Sequence, residues 1–474
     1  MNKKFLKTDL QSDMSVKGLF FLPSQVEDNE DWANGVVEYS DTGIVITLFD
    51  DFNVDTPLDF GKLNQFDVVH CLTECGERLS FFDVCQNRFS NHSSGFKISE
   101  YRSNLMISSN LEYVSSLDTL RTKKCSFSFV GMNDWIEKDY YSNVGKSVMP
   151  NSDVKNEMTD IKIENKNYLI SEKTLITEKY QLPDVSFIIK NSLELSNNSK
   201  EESLSISEYK KVVFEINRLL ALVLGKYQQI EYLECIEPDK NPLKIKIYRL
   251  FFIQQGVESL KQIRSPLIDY KEYSNNFNKL YQCFFDQREK IEPIIENYIS
   301  DKILPTFAIK SLVNISKTLE MYHRTYVYTE PEVNKEFLYK KNKVLEFIEK
   351  EFEENPVKDE LKSQLSFVKE EPSFSGKISK LLKSVPDDLR NLFRNGKEIS
   401  KVSKRITETR NYLTHGGDKN NYPDRYQEIS EIIDIIIKLR CITDYYLLKE
   451  LGFQSELIIE SLMDYNGPYQ RLFY

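Results

Sequence analysis

Gly35-Val-Val-Glu-Tyr-Ser-Asp-Thr-Gly-Ile-Val-Ile-Thr-Leu-Phe49 carries two runs of β-branched and aromatic residues around Ser40-Asp-Thr-Gly43. Such side chains suit a pleated, half-buried surface, and Asp and Gly suit a tight reversal, so the stretch predicts a β-hairpin. The same texture lies on both sides of it. Val16–Leu22 ends at Pro23, and Val68–Leu72, Leu79–Val84, Cys125–Val130 and Tyr168–Ser171 are short apolar or alternating runs. Between residues 16 and 190 no run of helical period exceeds three turns. These patterns predict an antiparallel, β-rich domain over residues 1–205. The polar stretch Asn191–Glu202 reads as a linker or an exposed turn. Ser207–Gly225, with apolar residues at 212, 213, 216, 219, 220 and 223, suits a helix. Ile230–Cys235 and Ile245–Phe252 read as two strands that either close the β domain or form a small insert. Residues 206–265 are therefore set apart as a connecting segment.

From about residue 270 the period changes. Phe277–Ile299, Phe307–Tyr326, Glu336–Glu353, Lys397–His415 and Tyr426–Gly452 repeat their apolar residues as helices do. Pro293 falls inside the first, where it can kink it. Pro305, Pro331, Pro356, Pro372, Pro386 and Pro423 fall between them. Five helices with short or medium loops predict an all-α bundle over residues 266–474. The fold class is thus α+β and multidomain.

The 474 residues include 73 acidic and 63 basic side chains, a net charge of −10. A chain this acidic does not coat nucleic acid in bulk; a local basic patch is needed for that. The seven cysteines are odd in number and scattered, which fits a reduced compartment. The start, Met1-Asn-Lys-Lys-Phe-Leu-Lys-Thr-Asp, has no apolar core of a signal peptide. No apolar run approaches the ~18 to 20 residues of a membrane span. The expectation is a cytoplasmic protein with no membrane partner.

The enzyme question narrows to four histidines, His70, His92, His323 and His415, because imidazole is the usual acid or base near neutral pH. His415 stands in Thr409-Arg-Asn-Tyr-Leu-Thr-His-Gly-Gly417. On an ideal helix Arg410 falls within ~20° of the arc defined by Ile399, Val402, Ile406 and Leu413. A guanidinium beside an apolar stripe is costly unless paired or liganded. His415, five residues on, lies about 140° round the same helix. Gly416-Gly417 ends the helix there, since glycine takes the left-handed conformation that terminates helices, and the imidazole can swing from the helix end. Arg with His suits RNA cleavage, in which the 2′-hydroxyl is the nucleophile. His415 transfers the proton, Arg410 stabilises charge on the phosphate oxygens, and no metal or other cofactor is required. Asn411 can hydrogen-bond His415 or a phosphate. The plain reading is that Arg410 pairs with an acid and His415 merely ends a helix.

Residues 376–410 hold ten Lys/Arg (377, 380, 383, 390, 394, 397, 401, 404, 405, 410) and four acids, an excess of +6 in an acidic chain. A basic segment leading into the Arg/His motif is where a phosphate backbone is drawn, with Lys397, Lys401, Lys404 and Arg405 nearest the motif; a solvated helix face is the alternative.

The run Arg410-Asn-Tyr-Leu-Thr-His415 resembles the R-x₄₋₆-H signature of HEPN domains. Phe307 to Arg324, with its Leu-Glu320-Met-Tyr-His323-Arg324 ending, resembles a helix of the ApeA-like HEPN group. Gly18-Leu-Phe-Phe-Leu-Pro23, Gly35–Leu48 and Phe127-Ser-Phe-Val-Gly-Met-Asn-Asp-Trp135 resemble the β-rich domain that precedes HEPN in ApeA proteins. The resemblance implies a bacterial anti-phage protein that halts growth of the infected cell. It implies a metal-independent ribonuclease, usually a homodimer or higher oligomer, with Arg410 and His415 catalytic and Asn411 at the polar position after the arginine. Glu320 and His323, at i and i+3 on one helix face, would orient the pair, or Glu320 would simply neutralise Arg410. The β-rich domain would sense a phage protein or restrain the nuclease. Gly417 stands where HEPN proteins controlled by tyrosine adenylylation carry tyrosine, so that control is not expected.

Other chemistry is poorly supported. His70, Cys71, Cys75, Cys85 and His92 cluster in sequence, but no second close pair follows Cys71-x₃-Cys75, and a bound metal is not expected. No phosphate-binding G-x-x-x-x-G-K-[ST], no G-x-G-x-x-G and no G-x-S-x-G occurs. The apolar face of Tyr426–Leu447 (Ile429, Ile432, Ile433, Ile436 and Ile437) serves as core or, in part, packs a second subunit. Two rival functions remain: a non-catalytic RNA- or protein-binding module, and an adaptor holding a phage protein through its N-terminal domain.

Overall fold

The computed structural model describes the chain except residues 1–3, 11, 27–31, 41, 50–51, 53–63, 92–96, 137, 139, 145–146, 151–155, 165, 182–183, 198–202, 239–244, 255–264, 304–307, 329–334, 353–355, 368–372 and 394–397. It divides into two compact units. One is Met1–Arg288, Lys302–Pro305 and Leu447–Pro468; the other is Glu289–Asp301, Thr306–Tyr446 and Tyr469–Tyr474.

The first unit is built on a sheet of thirteen strands: β1 Met14–Phe21, β2 Ala33–Ser40, β3 Gly43–Leu48, β4 Gln65–Thr73, β5 Arg78–Asn91, β6 Lys97–Ser103, β7 Leu105–Ser109, β8 Lys124–Phe129, β9 Met158–Ile163, β10 Lys166–Gln181, β11 Asp184–Asn197, β12 Ile230–Glu237 and β13 Lys246–Phe252. Their order is β9-β10-β11-β8-β12-β13-β7-β5-β4-β1-β2-β3-β6, and β6 pairs back onto β5. That last pairing closes β5, β4, β1, β2, β3 and β6 into a barrel. The expected hairpin is β2–β3, in register from Gly35↔Leu48 to Ser40↔Gly43. Alternation decides its faces: Ala33, Val37 and Tyr39 are buried on β2, and Ile44, Ile46 and Leu48 on β3. Gly18 and Gly35 are partners across β1 and β2. A Cβ on Gly18 would stand 2.4 Å from Cys71 Sγ, and one on Gly35 2.5 Å from the Thr47 carbonyl oxygen. The tight wrap of these strands therefore requires glycine at both positions.

Of the two placements open to the strands after residue 230, the sheet takes the first: β12 and β13 lie in its middle, between β8 and β7. The polar stretch from Asn191 is no linker up to Asn197; it is the end of β11, paired with β10 from Tyr168↔Asn197 to Gln181↔Asp184. Its alternating Leu193 and Leu195 are fully buried, while the intervening polar residues are what suggested a linker. The rest of that stretch, 198–202, lies outside the described residues. Among the described residues β9 pairs with the base of β10, and β8 meets β11 along Leu193–Ser196. Above that base β10 and β11 form a ribbon paired, among the described residues, with each other.

Helix α1, Ile206–Leu224, is buried on nearly every side. Ser205 and Glu208 form a reciprocal capping box at its start, and Gly225 (φ +72°) ends it. The predicted helix over Phe277–Ile299 is two helices, α2 Tyr270–Asp286 and α3 Arg288–Ile303. The chain breaks at Gln287, whose φ and ψ of −102° and 8° leave the helical range, rather than at Pro293, which lies within α3.

The second unit is helical: α4 Ala308–Tyr322, α5 Lys335–Glu351, α6 Pro356–Phe367, α7 Phe374–Ser384, α8 Ile399–His415 and most of α9, Ile429–Glu450. α4 runs on into one π-helical turn, His323–Val327, closed by Tyr328 N–H donating to the His323 carbonyl at 2.7 Å. α8 packs against α7 and α4, and α4 against α7. Leu312, Ile315 and Leu319 of α4, Ile378, Leu381 and Leu382 of α7, and Ile399 and Ile406 of α8 are fully buried. α6 and α7 were not foreseen. A short α10, Ser455–Leu462, belongs to the first unit.

Candidate active site

α8 carries the Arg/His motif. Its inward line is Ile399, Ser403, Ile406 and Thr409, with Arg410 next to the last. Ser403 and Thr409 replace larger apolar residues and let neighbouring segments approach: Thr409 Oγ1 accepts from Tyr426 N–H at 2.8 Å. The helix stops after His415 because Gly416 (φ +67°) and Gly417 (φ +102°) both sit where side chains are strained. A Cβ at either would meet nothing within 4 Å. Backbone conformation, not crowding, is thus what selects glycine there. Beyond the stop, Arg425 lies 5.1 Å over the Tyr412 ring and donates to the Lys419 and Tyr422 carbonyls, both at 3.0 Å. The turn after His415 is tied back to α8, and the imidazole stays exposed at the helix end.

Arg410 points to a different side. Its Nη2 is 3.6 Å from Glu320 Oε2, and its guanidinium lies 4.5 Å over the ring of Phe374. The other Glu320 oxygen is 3.1 Å from Arg324 Nη2 and 3.3 Å from Lys377 Nζ. One carboxylate therefore faces three cations from three helical segments among the described residues. Burial grades the three: the side chain of Lys377 is 4% exposed, Arg410 26% and Arg324 56%. Such a cluster can orient a guanidinium and present positive charge to an anion such as a phosphate.

Among the sequence-predicted site residues, the structure brings Arg410 and Glu320 together. His323 is fully buried on the π-helical turn, and Asn411 is half-buried beside Arg410. Among the described residues no hydrogen bond or ion pair joins His415 to Arg410 within one copy. Lys397 lies outside the described residues. Lys401 is exposed. Lys404 is engaged by Asp424 at 2.6 Å, which raises its pKa and lowers that of the aspartate. Arg405 is engaged by Glu431 at 3.0 Å and stacks 4.0 Å over Tyr426. Phe374 was not singled out from sequence, Lys377 was counted only within the basic run, and Arg324 was quoted only as the end of the helix motif. The signals were present: Ser373 before Phe374 is an N-cap, accepting from Gly376 N–H, and Arg324 stands four residues after Glu320.

The sequence cluster around Cys71 is taken apart by the fold. Cys71 is buried, Cys85 is exposed and His92 lies outside the described residues. His70 Nδ1 is 3.1 Å from Ser80 Oγ, and its ring packs against Tyr113 and Phe21. Burial lowers its pKa to about 4. The unfolded imidazole titrates near ~6.5, so between these values the unfolded chain binds the extra proton. The β-rich unit therefore loses stability as pH falls through this window, by up to about 3 kcal/mol. His70→Gln is expected to flatten that slope, as read by denaturant titrations across pH 4 to 7.

Two family models match the chain. That for the ApeA N-terminal domain 1 covers residues 15–284, and that for the Apea-like HEPN domain covers 313–457. The second spans most of α4, all of α7 and α8, and every described residue of the Glu320 cluster. Curated proteins and solved structures give no match. HEPN domains are generally ribonucleases and often dimerise. Among the described residues no helix is long and apolar enough to cross a membrane. A β-rich unit with a closed barrel followed by a helical region with the Arg/His helix is thus matched at both ends, and the chain belongs to the ApeA-like HEPN family, which points to a nuclease-type role in defence against phage.

Proposed function

We propose that this protein is a metal-independent endoribonuclease that aborts phage infection from within the cytoplasm. RNA is cut by attack of its own 2′-hydroxyl, leaving a 2′,3′-cyclic phosphate. Two copies of the chain form the site: His415 transfers the proton and Arg410 stabilises the phosphorane, with Asn411 holding the imidazole or a phosphate oxygen. The observation that carries this reading is the division of labour on α8. Arg410 is held beside Glu320 and Phe374, while His415, five residues on, stands in water at the helix end. Positions i and i+5 differ by ~140° and ~7.5 Å along a helix, so the imidazole of one copy is better placed to meet the guanidinium of another. Ile429 and Ile433 of α9, 63% and 45% exposed, offer apolar surface for that second copy. Lys380, Lys383 and Lys401 are exposed cations suited to the RNA backbone. The helical second unit acts as the nuclease, and the β-rich first unit, whose sheet includes β12 and β13, senses a phage protein or restrains the nuclease.

The test is cleavage of RNA by the purified protein in EDTA, with the product ends identified. Unchanged rates in EDTA and 2′,3′-cyclic phosphate ends are expected. Cleavage that strictly needs Mg²⁺, or ends carrying a 3′-hydroxyl, would overturn the mechanism. Binding without any cleavage would favour the non-catalytic module.

A further inference from the structure

Lys377 belongs to the first turn of α7, and its side chain is 4% exposed. A buried ammonium is costly unless paired, so its place beside Glu320 Oε1, at 3.3 Å, asks for a reason. Three observations bear on it. Lys377 and Arg410 take different oxygens of the same carboxylate. The Arg410 contact, at 3.6 Å, is longer than a hydrogen bond, and Arg410 Nε, although buried, makes no hydrogen bond among the described residues. Phe374, three residues before Lys377 and so on the same helix face, supplies the ring on which the Arg410 guanidinium lies.

We propose that Lys377 is a positioning residue for Arg410: by holding Glu320 through its other oxygen, it weakens the carboxylate's grip on the guanidinium and leaves Arg410 ready to turn across the Phe374 ring onto a phosphate. This rests on the ribonuclease reading of the same site and adds how the cation is released. Glu320 alone would retain Arg410 as a closed ion pair. With Lys377 in place, Glu320 stays compensated when Arg410 leaves it, so a phosphate competes for the guanidinium without stranding a buried carboxylate. Arg324, the most exposed of the three cations, is screened by water and a poor substitute in that role.

The experiment has an arm that needs no catalysis. The full-length protein is treated with phenylglyoxal, an arginine reagent, and modification of Arg410 is followed by peptide mass spectrometry for wild type, Lys377→Met, Glu320→Gln and the double variant. Modification is expected to slow at least threefold in Lys377→Met and to quicken at least threefold in Glu320→Gln, with the double variant resembling Glu320→Gln. In the cleavage arm, Lys377→Met is expected to lower kcat about tenfold with KM within twofold, and adding Glu320→Gln to restore part of the loss. The proposal is overturned if Arg410 reactivity is the same in wild type and Lys377→Met. It is equally overturned if activity falls only in step with melting temperature and is not regained in the double variant. If wild type cleaves no RNA while the modification rates shift as stated, the ribonuclease reading fails and the positioning of Arg410 by Lys377 stands.

Discussion

His415→Ala is expected to reduce RNA cleavage by ~10² to 10⁴-fold, the usual worth of a positioned acid or base. The melting temperature should move by no more than about 2 °C, because an exposed side chain outside the described hydrogen-bond and ion-pair networks contributes little to stability. His415 is exposed at the last position of α8, and the turn beyond it is held by Arg425 and Tyr412 rather than by the imidazole. Single-turnover cleavage and thermal denaturation of the same preparation separate the two effects. Full activity in this variant would remove His415 from the chemistry and return the protein to the binding-module reading.

Arg410→Ala is expected to lower kcat by ~10² to 10³-fold with a smaller change in KM, since its charge acts on the phosphorane more than on bound RNA. Arg410→Lys should recover little of this. Lysine keeps a charge but has neither the planar fork that grips two phosphate oxygens nor a flat face to lie 4.5 Å over Phe374. The two losses are not expected to add. Once either group is gone, the other has less transition state to stabilise, and the Arg410→Ala/His415→Ala double variant should fall close to the worse single variant. Steady-state kinetics on one RNA substrate across the four proteins decides this.

How much of this could be read beforehand depends on the kind of signal each segment carries. The β2–β3 hairpin was legible because alternation and the Ser40-to-Gly43 reversal are both local. The end of α8 at His415 was legible because the Gly416-Gly417 stop is local too. The end of β11 was misread since a strand whose polar residues outnumber its two buried leucines shows its nature only beside its partner β10. α7 was hidden in a run of lysines that reads as a solvated, RNA-facing face. In the fold, Lys377 of that run is buried against Glu320, and Lys404 and Arg405 are engaged by acids of their own unit. Net charge along a sequence counts cations but does not say which of them already have a counter-charge. The Glu320 cluster joins α4, α7 and α8, so it exists only once the bundle packs.

The β10–β11 ribbon has a practical corollary. Cross-strand pairs alternate between the two hydrogen-bonding types along any antiparallel ladder. Excising residues opposite one another in twos, above the Thr174↔Asn191 rung, leaves the same type of rung beneath the reversal, and the shortened arm closes as before. Excising an odd number puts the other type there and asks for a different reversal. The arm is in effect a dial with discrete stops, and its length can be set without disturbing the strands at its foot.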